Sequence, residues 1–343
     1  MKRLRATGSG LGSILSAYFL LCGLLACSQK VPFKTRAEKL GLEYVTDIRL
    51  AGGTTRFDYQ AIDVSQQRLY IAHLGSDMIT VFGIDSGKVI KNIEGVSNVH
   101  GVITVPEIHR VYASATGKNQ VVVIDANSMQ IIANVQVGNY PDGLAYAPVQ
   151  KRVFISDEHG KTVSVIDAIN NILVGKIDIG GEVGNTHYDS NSGMIYSADQ
   201  TKNQLVAIDA EQLKIVKRYD LPGCQGAHGF YIDEQTHFAL ITGEENASLV
   251  VLDLTSGKIV ANDKVGKSPD VLDFDKEKHL LFVSSESGIV SVFKVEQGKI
   301  TKTGESFFYS NAHSVSVDQK SHLVFFPLQN VDGEPVLRIM RSL

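Results

Sequence analysis

Arg152-Val-Phe-Ile-Ser-Asp157 is followed, after the four residues Glu158 to Lys161, by Thr162-Val-Ser-Val-Ile-Asp167. Both are six-residue runs of β-branched and aromatic residues, bounded by polar and glycine positions, and they read as paired short strands. The first run recurs as Arg68-Leu-Tyr-Ile-Ala-His73, Arg110-Val-Tyr-Ala-Ser-Ala115, Met194-Ile-Tyr-Ser-Ala-Asp199, His237-Phe-Ala-Leu-Ile-Thr242, His279-Leu-Leu-Phe-Val-Ser284 and His322-Leu-Val-Phe-Phe-Pro327. Seven copies thus follow one another at intervals of about forty-two residues. The second run recurs as Gln120-Val-Val-Val-Ile-Asp125, Gln204-Leu-Val-Ala-Ile-Asp209 and Ser248-Leu-Val-Val-Leu-Asp253, each closing on an Asp suited to open a turn.

A further strand follows, as in Gln130-Ile-Ile-Ala-Asn-Val-Gln-Val137, and a Gly-rich link leads to the next copy, which opens on a strand such as Gly143-Leu-Ala-Tyr-Ala147. Four short strands per repeat, with no helix-length amphipathic pattern, define an all-β chain built as a seven-bladed β-propeller of four-stranded blades over residues 41–343. The last copy runs out one strand short at Val336-Leu-Arg-Ile-Met340, while Tyr44-Val-Thr-Asp-Ile-Arg-Leu50 stands before the first copy without a blade. Pairing the two closes the ring with an N-terminal strand and leaves no open sheet edge.

Upstream, Lys2, Arg3 and Arg5 precede an apolar run from Ile14 to Ala26 that ends Leu24-Leu25-Ala26-Cys27. The run is shorter than the roughly 20 residues that span a bilayer, so it reads as a secretory signal. The small residue before Cys27 resembles a bacterial lipobox, which implies cleavage after residue 26, lipidation of Cys27, a polar tether over residues 27–40 and an anchor in the membrane. Leu25 is an unusual residue for that motif, and ordinary cleavage or an uncut anchor are the alternatives. Ser28, rather than Asp, resembles the sorting signal for the outer membrane, facing the periplasm.

The full chain carries 33 basic and 37 acidic residues. Removal of residues 1–26 takes Lys2, Arg3 and Arg5 and no acid, leaving 30 against 37 and a net charge of −7. An acidic body without a Lys/Arg block lacks the electrostatic term that dominates nucleic-acid binding, so no nucleic-acid partner is expected. Cys22 leaves with the signal and Cys27 is the lipidation site, so Cys224 stands alone, no intramolecular disulfide is possible, and the core must hold the fold.

Tyr70-Ile-Ala-His73, Phe154-Ile-Ser-Asp157 and Tyr196-Ser-Ala-Asp199, with the Pro-Asp pairs at 141–142 and 269–270, resemble the YVTN-repeat, YncE-like family of seven-bladed propellers over essentially the whole mature chain. The resemblance implies the fold more specifically than the function, because the same scaffold serves lactonases, lyases, haem proteins and non-catalytic binders.

Aligned on the repeat, the starts of the strands nearest the axis form a column of Asp58, His100, Asp142, Gly184, His228, Asp270 and His313. A second column, His73, Ala115, Asp157, Asp199, Gly243, Ser285 and Leu328, faces the same rim, with Glu158 and His159 beside it and His187 three residues along its own strand. Imidazole and carboxylate converging on a channel mouth suit a divalent transition metal such as Zn or Cu, and equally an acid–base pair. The bland alternative is that the Asp side chains cap backbone N–H groups in tight turns. On the opposite face, Gln67, His109, Lys151, His237, His279 and His322 form a turn column in which histidine also recurs, so recurrence alone is not evidence of a site. Tyr59, Tyr140, Tyr146 and Tyr188 lie near blade starts and either line a pocket or pack between sheets.

No Gly-x-Ser-x-Gly elbow, phosphate loop, dinucleotide fingerprint or haem-attachment motif is present. The expected function is a binding module holding a metal ion, small molecule or partner protein at the channel mouth. A propeller enzyme with lactonase- or lyase-like chemistry is the alternative, and a structural scaffold the third class.

Overall fold

The computed structural model describes residues 33–343; the expected signal segment and Cys27 lie outside the described residues. Seven four-stranded antiparallel sheets follow one another as blades over residues 60–94, 99–136, 141–178, 183–220, 227–264 and 269–307, with the seventh built on residues 316–342. In blades 1–6 chain order is sheet order, from an inner strand at the axis to an outer strand at the circumference. In most blades the two middle strands are buried along almost their whole length, as at Val153–Asp157 and Val163–Ile166, because each sheet is covered on both faces by its neighbours. That is why they read as continuous apolar runs. The outer strands face solvent, and some alternate cleanly, as in Lys258–Lys264.

The seventh blade closes as the sequence predicts. Strand β1, Leu42–Arg49, pairs antiparallel with Glu334–Ser342, Leu42 opposite Ser342 and Arg49 opposite Val336, and becomes the blade's outermost strand. Arg338 donates to both carboxylate oxygens of Asp47 at 2.9 and 2.7 Å, and its guanidinium lies 4.4 Å from the Phe33 ring centre. One expectation is corrected here. Residues 33–40 are not a polar tether: Phe33–Glu38 form a short helix, α1, with Ala37 and Leu40 buried and Phe33 edge-on to Phe308 at 5.1 Å. The apolar Phe33, Ala37 and Leu40 dock on blades 6 and 7, so the propeller body begins by residue 33.

Two recurrent turn devices account for much of the repeat. The Asp ending the third strand accepts backbone N–H groups of the following turn: Asp125 from Ser128 at 2.8 Å, Asp167 from Ile169 at 2.8 Å and Asp253 from Thr255 at 2.9 Å. On that same face, Gln67, His109, Lys151, His237, His279 and His322 all take positive φ, between 50° and 59°, with Gly193 in the equivalent place of blade 4. Histidine tolerates the left-handed region better than most side chains, so this column recurs because of backbone conformation.

At the opposite rim the pairing of the inner strand with its neighbour is interrupted in five blades, between Val99 and Val102, Pro141 and Leu144, Val183 and Thr186, Ala227 and Phe230, and Pro269 and Leu272. Each interruption contains one member of the Asp/His column. Such irregularities re-aim a side chain, and here they turn it toward the axis. Second-strand hydroxyls satisfy the freed backbone: Ser114 donates to Asp142 O at 2.7 Å and Thr242 to Gly229 O at 2.9 Å. Inner strands then approach so closely that a Cβ at Gly229 would lie 1.7 Å from Asp270 O, and one at Gly101 2.1 Å from Asp142 O. Alanine at either position must therefore push blades apart at the mouth.

Candidate functional site

The interrupted strands deliver His100, Asp142, His228 and Asp270 to one end of the channel, and the segments leading into blades 1 and 7 bring Asp58 and His313 to the same end, all buried. All but His313 line a cavity of about 160 Å³ together with Arg56, Tyr59, Tyr140, Glu158, Glu244 and Glu286. Gly184 leaves its place in the column without a side chain.

Within the cavity, His228 is the hub. Its Nε2 lies 3.3 Å from Asp270 Oδ1 and 4.0 Å from Asp142 Oδ2, and the Tyr59 hydroxyl sits 3.4 Å from the same nitrogen and 3.5 Å from Asp270 Oδ1. Burial alone would lower the His228 pKa, but the hydrogen bond and charge of Asp270, with the charge of Asp142, push it up to about 10. Burial raises Asp142 to about 7 despite His100 and His228. Asp270 moves the other way: burial opposes ionisation, yet His228, His313 and Arg56 hold it well below the usual carboxylate range.

His100 is held by a different set. Its Nδ1 donates to Asn98 O at 2.9 Å, which leaves Nε2 to accept from the Tyr140 hydroxyl at 3.2 Å. Tyr140 reaches it from a backbone with φ 60°, a left-handed conformation held by glycine, asparagine or serine at the matching positions Asn98, Gly226, Ser268 and Asn311. A tyrosine is less at ease there than glycine or asparagine, so the turn holds this ring beside His100 at a local conformational cost.

The third set has the most unmet bonding capacity, although Asp142 Oδ1 and His228 Nδ1 also lack a hydrogen-bond partner. Oxygen and nitrogen atoms of Asp58, Asp270 and His313 lie within 4.8 Å of one another, and all three residues are buried. Both carboxylate oxygens of Asp58 and both ring nitrogens of His313 lack a hydrogen-bond partner within the protein. Buried polar groups without partners are costly, and their clustering on facing side chains is the signature of a ligand position. Two carboxylates and an imidazole fit a divalent cation, which takes such ligands at about 2.0–2.2 Å. Arg56 also reaches this set, with its Nε 3.3 Å from Asp58 Oδ2 and its Nη2 3.4 Å from Asp270 Oδ2.

Five other residues singled out from sequence lie outside this cluster. His73 stacks on Phe57 at 3.9 Å, and its Nε2 lies within 3.2 Å of the Thr55 and Ser76 hydroxyls; burial lowers its pKa to about 4, so it is a neutral packed imidazole. Asp157 accepts from Thr162 and Ser164 at 2.7 Å and from Gly138 N at 2.9 Å, which ties its blade together. His187 lies deeper in the channel beneath Tyr59, edge-on to Phe230 at 4.8 Å, with burial lowering it to about 4. His159 is exposed above Tyr140 at 4.3 Å and 3.7 Å from Glu182. Cys224 is buried, and burial raises its thiol to about 12, as for a packed apolar residue.

Arg56, Glu244 and Glu286 are the cavity residues that the sequence reading did not single out. Glu158, Glu244 and Glu286 each stand one residue beyond the second column, because the last residue of that strand turns into the blade and the next one faces the axis.

The elevated His228 pKa has a measurable consequence. In an unfolded chain a histidine titrates near 6.5, so His228 contributes stability that is full below that pH and is lost as pH rises through about 10. Asp142, raised above its unfolded value, adds a further loss of stability as pH rises toward 7. Without added metal, the melting temperature should fall from pH 8 to pH 10, and His228→Gln should flatten that fall. An unchanged slope in the variant would remove the His228–Asp270 pair from this account.

No family model matches the sequence, and no curated protein sequence matches it. Among solved structures, a chain of hydrazine synthase from Kuenenia stuttgartiensis superposes with a TM-score of 0.71, covering 86% of this chain and 99% of its own at 12% identity. At that identity the likeness shows the fold alone: a β-propeller.

Proposed function

We propose that the chain is a binding module that holds a divalent transition-metal ion, zinc or copper, at the mouth of its propeller channel on Asp58, Asp270 and His313. The observation that carries this is the group of buried, mutually facing carboxylate and imidazole atoms in which the side chains of Asp58 and His313 have no hydrogen-bond partner within the protein. An ion there meets ligands fixed on blades 6 and 7 and on the segment leading into blade 1, so it also ties the closing blade to its neighbours. His100, Asp142 and His228 surround it, and a small molecule or a segment of a partner protein is the natural further ligand at this rim. The protein, dialysed free of metal, should bind one equivalent of Zn²⁺ near neutral pH. Failure to bind Zn²⁺ or Cu²⁺ removes the proposal.

An enzymatic role is supported by one specific observation, the adjacent Asp142 and His228 with pKa values moved to about 7 and about 10. Paired groups whose surroundings push their pKa values apart suit proton transfer. Metal-dependent hydrolysis of lactones, lost in Asp142→Asn, is the assay that separates an enzyme from a binder.

The motifs around Tyr70, Phe154 and Tyr196 support placing the chain with the YVTN-repeat, YncE-like propellers. The residues from Lys2 to Cys27 support export and lipid anchoring at the outer membrane, facing the periplasm. Stable attachment requires the acyl chains carried by Cys27. Cys27→Ser should therefore move the protein from the membrane fraction to the soluble fraction, and full membrane retention of that variant would end the lipoprotein assignment.

A further inference from the structure

Among the described residues Arg56 is the single Lys or Arg side chain lining the mouth, and it touches three carboxylates at once. Its two contacts with the proposed metal ligands are long, 3.3 Å to Asp58 and 3.4 Å to Asp270, and the one to Asp58 does not align as a hydrogen bond. The third is short and well directed, Nη1 donating to Glu286 Oε1 at 2.9 Å. Asp58 and Asp270 are buried, whereas the side chains of Arg56 and Glu286 are 37% and 35% exposed. The guanidinium thus bridges the inner carboxylates and an outer one, and its freedom to move lies outward.

A divalent ion and a guanidinium compete for Asp58 and Asp270, because their charges repel strongly in a water-poor cavity. The loss of two long contacts is the smallest rearrangement that makes room, and the short one to Glu286 survives it.

We infer that Arg56 is a built-in counter-ion latch: it neutralises Asp58 and Asp270 in the metal-free protein and withdraws onto Glu286 when a divalent cation arrives. The inference rests on the metal site proposed above and adds its regulation. Cation affinity is then set by exchange between guanidinium and ion, and Glu286 favours uptake by receiving the displaced charge. A guanidinium that serves only as a fixed ion pair predicts something different, because the charges of Arg56 and Glu286 would then act on the ion independently.

A double-mutant cycle with Zn²⁺ as the probe separates the two. Affinity is measured by competition with a chromophoric chelator for the unmutated protein, R56Q, E286Q and the double variant. R56Q should bind Zn²⁺ at least about tenfold more tightly, since the competing charge is gone. E286Q should weaken binding about fivefold when Arg56 is present and less than twofold when it is absent, a coupling of the size measured between contacting charges. Unchanged or weaker binding by R56Q, or equal effects of E286Q in both backgrounds, overturns the latch while leaving the metal site standing. Absence of Zn²⁺ binding in all four proteins overturns both. Should R56Q not fold, R56K takes its place in the cycle, because an ammonium cannot span three carboxylates and the same loss of coupling is expected.

Discussion

A chain that begins at residue 52 should not form the native propeller. It lacks α1 and β1, so Glu334–Ser342 becomes an unpaired edge nine residues long in a fold whose other blades have all four strands from one continuous repeat. Leu40, Leu42 and Leu50 lose their burial, at about 1.5–3 kcal/mol each. The bidentate Asp47–Arg338 pair goes with them and leaves Arg338, 7% exposed, without its carboxylate. The sum is upward of about 5 kcal/mol, comparable with the whole stability of an ordinary domain. The expected result is aggregation on expression, or a melting transition tens of degrees lower if the chain stays soluble. A shortened chain that melts with the intact one would show that β1 is dispensable to the ring. Arg338→Ala provides a milder version, with a smaller drop in melting temperature and the ring still closed.

The second large effect concerns the channel mouth. His313→Ala and Asp58→Asn should each lower Zn²⁺ affinity on the order of 100-fold or more, since each removes one of three protein ligands. His279→Ala and His322→Ala change histidines on the far face, one at φ 57° in a turn and the other ion-paired to Asp275 at 2.9 Å, and should leave that affinity unchanged. Equal losses from both faces would mean that the ion is bound nonspecifically by histidine. His228→Ala is more informative than it looks from sequence, because this imidazole is protonated and committed to Asp270. Its removal should alter affinity by freeing Asp270, and by much less than the loss of His313.

The fold was legible because the repeat imposes the same physics blade after blade: two middle strands covered on both faces, a solvent-facing outer strand and, in four blades, an Asp that caps the turn after the third strand. The closing strand was legible from bookkeeping, one strand missing at the end and one spare at the start. Helix α1 was not, because six residues with a single buried alanine carry no amphipathic period, and what orders them is the docking of Phe33 and Leu40. At the site, repeat registration was enough to gather Asp58, His100, Asp142, His228, Asp270 and His313. It could not separate them into the His228 ion pair, the His100–Tyr140 pair and the Asp58–Asp270–His313 group, since that division depends on side-chain direction at the interrupted strands. Registration placed the second column one residue too early, which admitted His73 and Asp157 and passed over Glu244 and Glu286. Arg56 had no signal at all, being the one basic residue at a position that Asn98, Tyr140, Gly226, Ser268 and Asn311 fill in other blades.

The most direct test of the central claim is a crystal of the protein grown with Zn²⁺ and measured on both sides of the zinc absorption edge. The account predicts one strong anomalous peak at the channel mouth, about 2.0–2.2 Å from a carboxylate oxygen of Asp58, a carboxylate oxygen of Asp270 and a ring nitrogen of His313. An ion found instead on Glu158, His159 and Glu182, or on the turn histidines of the far face, or a fully soaked crystal with no peak at the mouth, would contradict it.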